Sequence, residues 1–243
     1  MAGKQFVNSV IIDWNRISPD SYTRQIEALR GLDELCLNSP VTFFSGENGT
    51  GKSTLLEAIA VAWGFNPEGG TKNYSFSTHD SHSDLFEGIR LNKGARRPKG
   101  GYFLRAESFY NVATKEEEYA KDDPRGIHMD FHLQSHGESF LAAAQNYFNG
   151  SGFYLLDEPE AALSPQRQLT LLVEIAGCVK EGAQFIIVTH SPVLLAYPDA
   201  EILSFDDGPV HPVSYEETGS YRIYSMFMNG RERILRHLLD EAE

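Results

Sequence analysis

The sequence has few cysteines and no long apolar segment. Its 243 residues include two cysteines, Cys36 and Cys178, which lie in apolar surroundings without a partner motif. We therefore expect both thiols to be buried and free, as in the reducing cytoplasm. No stretch approaches the roughly 20 apolar residues that a transmembrane helix needs, and residues 1–6 do not resemble a secretory signal. The sequence thus predicts a cytoplasmic protein with no segment inserted in a membrane.

Positive charge is also scarce, since 21 lysines and arginines stand against 34 aspartates and glutamates, for a net charge of −13. Nucleic-acid binding needs a basic face that displaces counterions, so this composition argues against a surface that binds nucleic acid throughout. A basic cluster does occur within the polar segment 64–101, at Arg90, Lys93, Arg96, Arg97 and Lys99. We interpret it as part of a solvated loop, and contact with nucleic acid or another acidic partner stays as the alternative.

The order of local patterns predicts an α/β fold. The length and the 41% hydrophobic content predict a single domain over residues 1–243, with residues 64–150 as an inserted loop and helical region. Residues 6–14 and 32–37 predict antiparallel strands that feed into the core, and residues 84–91 show a weak amphipathic pattern. Because further strands alternate with helices, the core sheet is expected to be mostly parallel. The further predicted strands are 41–44, 102–106, 152–158, 184–190, 202–205 and 210–213, and the predicted helices are 55–63, one through 115–118, 165–180 and 221–239.

Residues 46–54 form the most informative motif of the chain. They follow an apolar run and precede helical spacing, so their glycines lie at a strand-to-helix turn. The pattern is G-x-x-x-x-G-K-S, the P-loop, whose backbone N–H groups and helix dipole bind phosphate. Lys52 is expected to meet the β- and γ-phosphates, Ser53 to hold Mg²⁺, and Thr54 to lie near the α-phosphate. The predicted nucleotide-binding residues here are Gly46, Glu47, Asn48, Gly49, Thr50, Gly51, Lys52, Ser53 and Thr54.

Two acids end the buried strand predicted at residues 152–158. Asp157 lies where a P-loop enzyme holds Mg²⁺ from a neighbouring strand. Glu158 beside it can orient a water for in-line attack on the γ-phosphate, which favours hydrolysis over a switch or a kinase. We expect ATP rather than GTP because the guanine-reading motif N-K-x-D is absent. The Asn-Lys pair at 92–93 is not followed by an aspartate at position 95.

Two more stretches carry candidate phosphate contacts. His190 ends the next predicted strand, at the sheet edge where P-loop ligands bind, and we interpret it as a γ-phosphate sensor. Ser135 and Glu138 have capping-box spacing, which predicts a helix start where Gly137 permits close approach of an anion. An ordinary capped helix is the alternative for this stretch. A metal site on one helix face is a further alternative, with three histidines spaced four residues apart as ligands: His128, His132 and His136.

The order of these motifs resembles the ABC-type ATPases, and more narrowly their soluble branch, with SMC, Rad50 and RecF-like ATPases and small stand-alone bacterial members. The resemblance spans nearly the whole chain. It places residues 135–138 at the family's Leu-Ser-Gly-Gly-Gln signature and residues 189–192, with His190, at its histidine switch. It implies the P-loop NTPase fold of an ABC-type ATPase head, with a mostly parallel core sheet, antiparallel N-terminal strands and a helical signature subregion.

The resemblance also implies an activity and a partner. The family forms an ATP-dependent, head-to-tail homodimer in which Ser135 and Gly137 of one subunit would contact the γ-phosphate held by the other. Glu107 falls where the family has a Mg²⁺- and water-sensing Gln, so it joins Ser53 and Asp157 as an expected metal ligand. The implied function is Mg²⁺-dependent hydrolysis of ATP, coupled to dimerisation as a molecular switch on a macromolecular client. The catalytic residues would be Lys52, Glu158 and His190.

The sequence departs from the family pattern at several positions. His136 replaces the first signature Gly, Glu138 replaces the Gln, Glu107 is not a Gln, and Ser164 stands where Asp is common. Tyr22 is the candidate for an adenine-stacking aromatic. Two alternatives to the switch remain, namely a nucleotide-binding subunit of a membrane transporter and an ATP-sensing module that does not hydrolyse ATP. The sequence names no client.

Overall fold

The computed structural model describes residues 5–71, 83–106, 136–148 and 150–240, and for residues 136–139 and 240 only the backbone. The expectations for Glu107, for the helix through 115–118, and for His128, His132 and Ser135 lie outside these residues. The strands are β1 Val7–Ile12, β2 Glu34–Cys36, β3 Val41–Ser45, β4 Ile89–Lys93, β5 Gly100–Arg105, β6 Gly152–Asp157, β7 Gln184–Val188, β8 Glu201–Ser204 and β9 His211–Pro212. The α-helices are α1 Lys52–Trp63, α2 Leu85–Gly88, α3 His136–Tyr147, α4 Pro165–Lys180, α5 Pro192–Leu195 and α6 Gly219–Asp240.

The core is a six-stranded sheet in the order β5-β6-β7-β3-β8-β9. The first five strands of this order run parallel, and β9 pairs antiparallel with β8 at the edge. Strands β3, β6 and β7 are buried along their whole length, which explains their nearly continuous apolar sequences. The expectation of a mostly parallel α/β core is confirmed.

Helices cover both faces of this sheet. On one face, α1 and the antiparallel strands share a buried cluster that includes Val10, Phe44 and Ile59. On the other face, α3, α4 and α5 pack over a cluster that includes Phe43 and Tyr154. Neighbouring residues such as Phe43 and Phe44 enter opposite clusters because successive side chains of a strand point to opposite faces.

The antiparallel strands form a sheet of their own, in the order β2-β1-β4, rather than an edge of the core sheet. A buried glutamine of β7 joins the two sheets. The Gln184 side-chain oxygen accepts hydrogen bonds from the backbone N–H groups of Phe6 and Val7, both at 2.9 Å, and its amide donates to the Val7 carbonyl at 2.8 Å. This polar side chain is satisfied, so its burial fixes the position of β1 instead of destabilising the core.

The segment expected to be a polar loop with one weak amphipathic piece contributes a strand. Residues 84–91 divide into the single turn α2 and the first half of β4, which pairs with β1 from Ile12–Ile89 to Val7–Lys93. The basic residues Arg90 and Lys93 therefore lie on a sheet edge, and the loop interpretation of this part was wrong. Pairing with β1 decides the conformation here, because the alternation of buried and exposed residues in β4 is too weak to predict a strand.

The expectation for the cysteines holds for one of the two. Both are free, and Cys178 is buried, but Cys36 is exposed. In β2 only the central Leu35 points inward, so its two neighbours point outward. Among the helices of the described residues, none combines the length and the apolar character needed to cross a membrane.

Candidate nucleotide-binding site

The P-loop joins β3 to α1, as its sequence context predicts. Gly46, Gly49 and Gly51 have φ values of +146°, +82° and +97°, a region that favours glycine. A Cβ on Gly51 would lie 2.6 Å from Cγ2 of Ile26, and one on Gly46 would lie 2.9 Å from a carboxylate oxygen of Asp206. Both the backbone angle and the surrounding atoms therefore favour glycine at these two positions.

Lys52 lies inside this loop and is only 4% exposed. Its Nζ donates to the Glu47 carbonyl at 2.6 Å and to Thr50 Oγ1 at 3.4 Å. Burial lowers the pKa of Lys52, and the nearby carboxylates, Glu158 first among them, partly offset this effect. A poorly hydrated ammonium held against the P-loop by these two contacts is well suited to bind a phosphate oxygen.

Ser53 and Asp157 meet at the end of β6. The Ser53 hydroxyl donates to Oδ1 of Asp157 at 2.8 Å, although the two residues are 104 positions apart in the sequence. A hydroxyl and a carboxylate are hard oxygen donors of the kind that Mg²⁺ prefers in P-loop proteins. These two of the predicted metal ligands therefore fit the ion. The third, Glu107, is outside the described residues.

Arg105 completes this corner of the site and was not among the predicted residues. Its Nε lies 3.3 Å from Oδ2 of Asp157, and its Nη1 donates to Glu57 at 2.7 Å and to the Pro67 carbonyl at 3.1 Å. The sequence contained two signals for this arrangement. Glu57 lies one helical turn after Ser53 on α1, and Arg105 ends β5 directly opposite Asp157 in β6.

Glu158 and His190 lie side by side at the ends of the neighbouring strands β6 and β7. His190 Nε2 is 3.8 Å from the Glu158 carboxylate, which is partly exposed. Glu158 adopts a left-handed φ of +49°, and its backbone N–H donates to the Val188 carbonyl at 3.0 Å. The strand order thus brings together two side chains that the sequence singled out separately. A left-handed backbone at a residue other than glycine is strained, and such strain is often found at functional sites.

A second residue missed by the sequence positions His190. The backbone N–H of His190 donates to Oε1 of Glu160 at 2.5 Å. The other Glu160 oxygen and Nε2 of His190 are buried, and neither has a hydrogen-bond partner among the described residues. Buried polar atoms without partners are costly, so these two atoms are poised for a ligand or water.

A cavity of about 710 Å³ opens beside the P-loop. Its walls come from the P-loop itself, the short 3₁₀ segments Tyr22–Gln25 and Glu27–Leu29, and the chain after β8. Tyr22, the predicted adenine partner, lines this cavity and is more than half exposed. Asp206 lines it as well, and its carboxylate accepts a hydrogen bond from the Glu47 backbone N–H at 2.7 Å. A smaller cleft of about 50 Å³ lies between Ser53, Arg105, Asp157 and Glu158.

The predicted signature stretch is described in part. Helix α3 begins at His136, where the capping-box spacing places a helix start, and Gly137 and Glu138 belong to its first turn. Ser135 precedes the described part of this helix. Its proposed contact across a dimer stays a prediction.

Comparison with protein families gives two matches. A sequence profile described as an AAA domain matches residues 24–133, and a second, described as "AAA domain, putative AbiEii toxin, Type IV TA system", matches residues 138–196. No curated protein matches the sequence significantly.

Comparison with solved structures gives further matches. The chain is similar to cbiO1 from Clostridium perfringens, part of the ABC transporter complex cbiONQ, with 15% identity, coverage of 97% of this chain and 100% of that chain, and a TM-score of 0.52. It also matches the SMC head domain from Thermotoga maritima with 15% identity, coverage of 86% and 99%, and a TM-score of 0.45. At this identity, the similarity to cbiO1 supports the fold and says nothing of a client.

Proposed function

We propose that this chain, two segments of which match AAA-domain profiles, is an ABC/SMC-like ATPase that hydrolyses Mg²⁺-bound ATP as a dimerising molecular switch. The main support for this proposal is the 2.8 Å hydrogen bond from Ser53 to Asp157, which joins the P-loop to the end of the strand that precedes Glu158. Ser53, Asp157 and Glu158 line one small cleft, which supports a shared site for phosphate binding and water activation.

In this proposal each residue of the cleft has one task. Lys52 binds the β- and γ-phosphate oxygens, and the P-loop N–H groups bind the remainder of the triphosphate. Glu158 orients a water in line with the γ-phosphate and receives its proton. His190 contacts the γ-phosphate through the nitrogen that faces Glu158. Ser53 and Asp157, with Glu107 as the third candidate, would hold Mg²⁺, which when bound neutralises phosphate charge.

Dimerisation would complete the site. In the head-to-tail arrangement implied by the family, Gly137 in the first turn of α3 and Ser135, two residues earlier in the sequence, reach the γ-phosphate of the other subunit. ATP then bridges the two subunits, and hydrolysis removes the group that both of them contact. Such a cycle converts ATP turnover into opening and closing of a dimer that can act on a macromolecular client.

The identity of the client would distinguish the molecular switch from its main alternative, a transporter subunit. The similarity of this fold to cbiO1, which is part of a transporter complex, keeps a transporter subunit as the second candidate. Affinity capture with an ATP-bound Glu158→Gln variant tests this choice. Recovery of an integral membrane protein would favour the transporter subunit, and recovery of a soluble protein or nucleic acid would favour the switch.

We expect Glu158→Gln to lower the turnover number for ATP by roughly 100-fold or more, because the water loses its base. ATP binding is expected to persist, since the P-loop is unchanged, and the variant should accumulate as an ATP-bound dimer. The measurements are phosphate release at several protein concentrations and the molar mass by light scattering with and without ATP.

Glu87→Gln is the matched control, because Glu87 is an exposed glutamate away from the cleft. It should leave both measurements unchanged. Specific activity that does not depend on protein concentration, together with a monomeric Glu158→Gln variant in ATP, would rule out the shared site. Undiminished turnover in that variant would rule out the role of Glu158, and an absence of turnover in the wild type would favour the sensing module.

A further inference from the structure

Gln168 is a buried side chain near the start of α4 that takes no part in the proposed cleft. It is 8% exposed, and it lines neither the cavity beside the P-loop nor the smaller cleft. Glutamine is mostly exposed in proteins, since a buried amide loses its hydration and needs hydrogen-bond partners for both its oxygen and its nitrogen. The partners of Gln168 therefore show what this side chain holds in place.

Both ends of the Gln168 amide are used. Its nitrogen donates to the Leu163 carbonyl at 3.1 Å, and its oxygen accepts from the Ser191 hydroxyl at 2.5 Å. This orientation of the amide follows from its partners, because a backbone carbonyl accepts hydrogen bonds and does not donate them. One partner belongs to the segment that follows Glu158, and the other is the residue directly after His190. The side chain thus links the two loops that carry the proposed catalytic pair.

The segment that follows Glu158 is a hydrogen-bonded turn. It includes the 3₁₀ segment Pro159–Ala162, and the N–H of Ala161 donates to the Glu158 carbonyl at 3.0 Å. The N–H of Leu163 donates to the Glu160 carbonyl, also at 3.0 Å. Because the backbone N–H of Glu158 is itself bonded to the end of β7, this turn is fixed to the sheet. The Leu163 carbonyl is therefore a firm anchor for the side chain that binds it.

Ser191 organises the other loop. While its hydroxyl donates to Gln168, the same oxygen accepts from the N–H groups of Val193 and Leu194 at 3.1 and 3.3 Å, which caps α5. The one donor and the two acceptor positions of this hydroxyl are therefore all used. His190 directly precedes Ser191, so a displacement of Ser191 would move the backbone of His190 as well.

Glu160 joins the two loops a second time, since its Oε1 accepts from the His190 N–H at 2.5 Å. Together the contacts close a ring that runs through Leu163, Gln168, Ser191, His190 and Glu160. The paired positions of β6 and β7 end just before the proposed catalytic pair, so the strand ladder leaves these two side chains to the loops. The ring thus sets the spacing of this pair, whose side chains lie 3.8 Å apart.

We infer that Gln168 is a positioning residue for ATP hydrolysis, which holds His190 at its working distance from Glu158 without touching the nucleotide. This inference rests on the proposed function, because Glu158 and His190 are catalytic residues only in that proposal. A small displacement of a catalytic group lowers the rate of the chemical step more than it weakens ground-state binding. The ring includes no residue of the P-loop, so its loss should leave the binding of the α- and β-phosphates unchanged.

The first test is Gln168→Met, which keeps a side chain of similar size and removes both hydrogen bonds. The turnover number for ATP should fall about 10-fold or more, because the loop with His190 is no longer tied to its anchor through α4. The affinity for a fluorescent ADP analogue should change by less than about two-fold, since ADP lacks the γ-phosphate that His190 is proposed to contact. A wild-type turnover number in Gln168→Met would overturn the inference.

Gln166→Met is the matched control. It makes the same exchange at an exposed position of the same helix, two residues before Gln168, so turnover and ADP affinity should both stay at wild-type values. Thermal melting of the two variants checks that each of them folds.

Gln168→Glu separates the two contacts of the side chain. An ionised carboxylate still accepts from the Ser191 hydroxyl, but it cannot donate to the Leu163 carbonyl and is repelled by it. Because the ring is open at one point, turnover should again fall, here by about five-fold or more. Turnover at the wild-type level would show that the contact with Leu163 contributes nothing, and the ring as proposed would be wrong.

A double-mutant cycle tests whether Gln168 acts through His190. In a His190→Ala background the residue that Gln168 positions is gone, so adding Gln168→Met should lower turnover by less than about two-fold. Single-turnover conditions resolve the slow hydrolysis of these variants. A further loss of about 10-fold in the His190→Ala background would indicate a general structural effect and contradict the inference.

The imidazole of His190 also reports its position without any turnover. An absence of turnover in the wild type, or undiminished turnover in Glu158→Gln, would contradict the proposed function and leave the position of His190 to be measured directly. In protein with isotope-labelled histidine and no nucleotide, the His190 ring signal is assigned by NMR with His190→Ala. It should shift in Gln168→Met and stay unchanged in Gln166→Met. An unshifted signal in Gln168→Met would overturn the inference whatever the turnover assay shows.

Discussion

At the scale of single residues, Arg105 shows how one unpredicted side chain organises the site. Asp157 uses both carboxylate oxygens, one toward Ser53 and the other toward Arg105. Arg105 in turn is held by Glu57, one turn beyond Ser53 on α1. These residues close a ring between α1, β5 and β6. The ring fixes which oxygen of Asp157 faces the P-loop, so Arg105 is a positioning residue for the proposed metal ligand.

We expect Arg105→Ala to lower the free energy of unfolding by about 2–4 kcal/mol, because it leaves two mostly buried carboxylates without their cation. Arg105→Lys should lie between this variant and the wild type, since lysine keeps the charge but lacks the planar fork that makes both contacts. Urea denaturation measures both changes. Arg90→Ala is the control, because Arg90 also lies 3.3 Å from a carboxylate, that of Asp13, but is 61% exposed.

The Arg90 control should change stability by less than about 1 kcal/mol, as exposed ion pairs do. Equal effects of the two alanine variants would mean that the ring around Asp157 contributes nothing beyond an ordinary surface pair. In that case the orientation of Asp157 would have to come from Ser53 and the backbone alone.

At the scale of elements, helix α1 has a left-handed glycine at each end, Gly51 before it and Gly64 after it. The two glycines have nearly the same φ, +97° and +99°. Their surroundings differ, because a Cβ on Gly51 would collide with Ile26, whereas one on Gly64 meets nothing within 4 Å. Only the first glycine lies at the end of the helix that is proposed to bind phosphate.

Gly51→Ala should therefore lower the stability of the protein by more than backbone strain alone would. We expect Gly64→Ala to lower stability by about 1–2 kcal/mol, the cost of a left-handed alanine, without a change in ATP affinity. Gly51→Ala should add an overpacking cost of about 1–3 kcal/mol and weaken ATP binding, because relief of the collision displaces the N–H groups of the loop. Urea denaturation and titration with a fluorescent ATP analogue measure the two effects. Equal losses of stability in the two variants and an unchanged affinity for the ATP analogue would show that the Ile26 side chain moves aside to accommodate the added methyl group.

At the scale of the whole molecule, the buried Lys52 links global stability to pH. Its pKa lies below the ordinary value of 10.5, mainly because of burial. Between the lowered pKa and 10.5, the unfolded chain binds a proton that the folded chain does not, so stability rises with pH in this window. Below the lowered pKa, the folded protein bears the full cost of burying a charged ammonium.

Comparison with Lys52→Met isolates this effect. Methionine is close to lysine in size and does not titrate, so we expect the nucleotide-free wild type to gain stability relative to the variant as pH rises toward 10.5. The measurement is the free energy of unfolding of both proteins in urea from neutral to alkaline pH. A difference that stays constant over this range would contradict a lowered pKa in the folded state.

Local chemistry accounts for the parts of the structure that could be predicted. The P-loop carries its own strand, turn and helix signals within about twenty residues, and helix α4 runs from Pro165 to Lys180 as its first-turn proline and the glycine after its end indicate. The buried strands β6 and β7 are recognisable from apolar runs that end in residues proposed to be functional. These features depend on neighbours in the sequence, so composition and spacing were sufficient.

Contacts between segments that are distant in the sequence account for the parts of the structure that could not be predicted. Strand β4 exists because β1 pairs with it, Cys36 is exposed because β2 turns only Leu35 inward, and Arg105 faces Asp157 because β5 lies next to β6. Glu158 and His190 are neighbours for the same reason, since β6 lies beside β7 in the sheet. The residues alone define which chemical groups the chain carries, and strand order decides which of them meet, because hydrogen bonding between strands joins positions that the sequence separates widely.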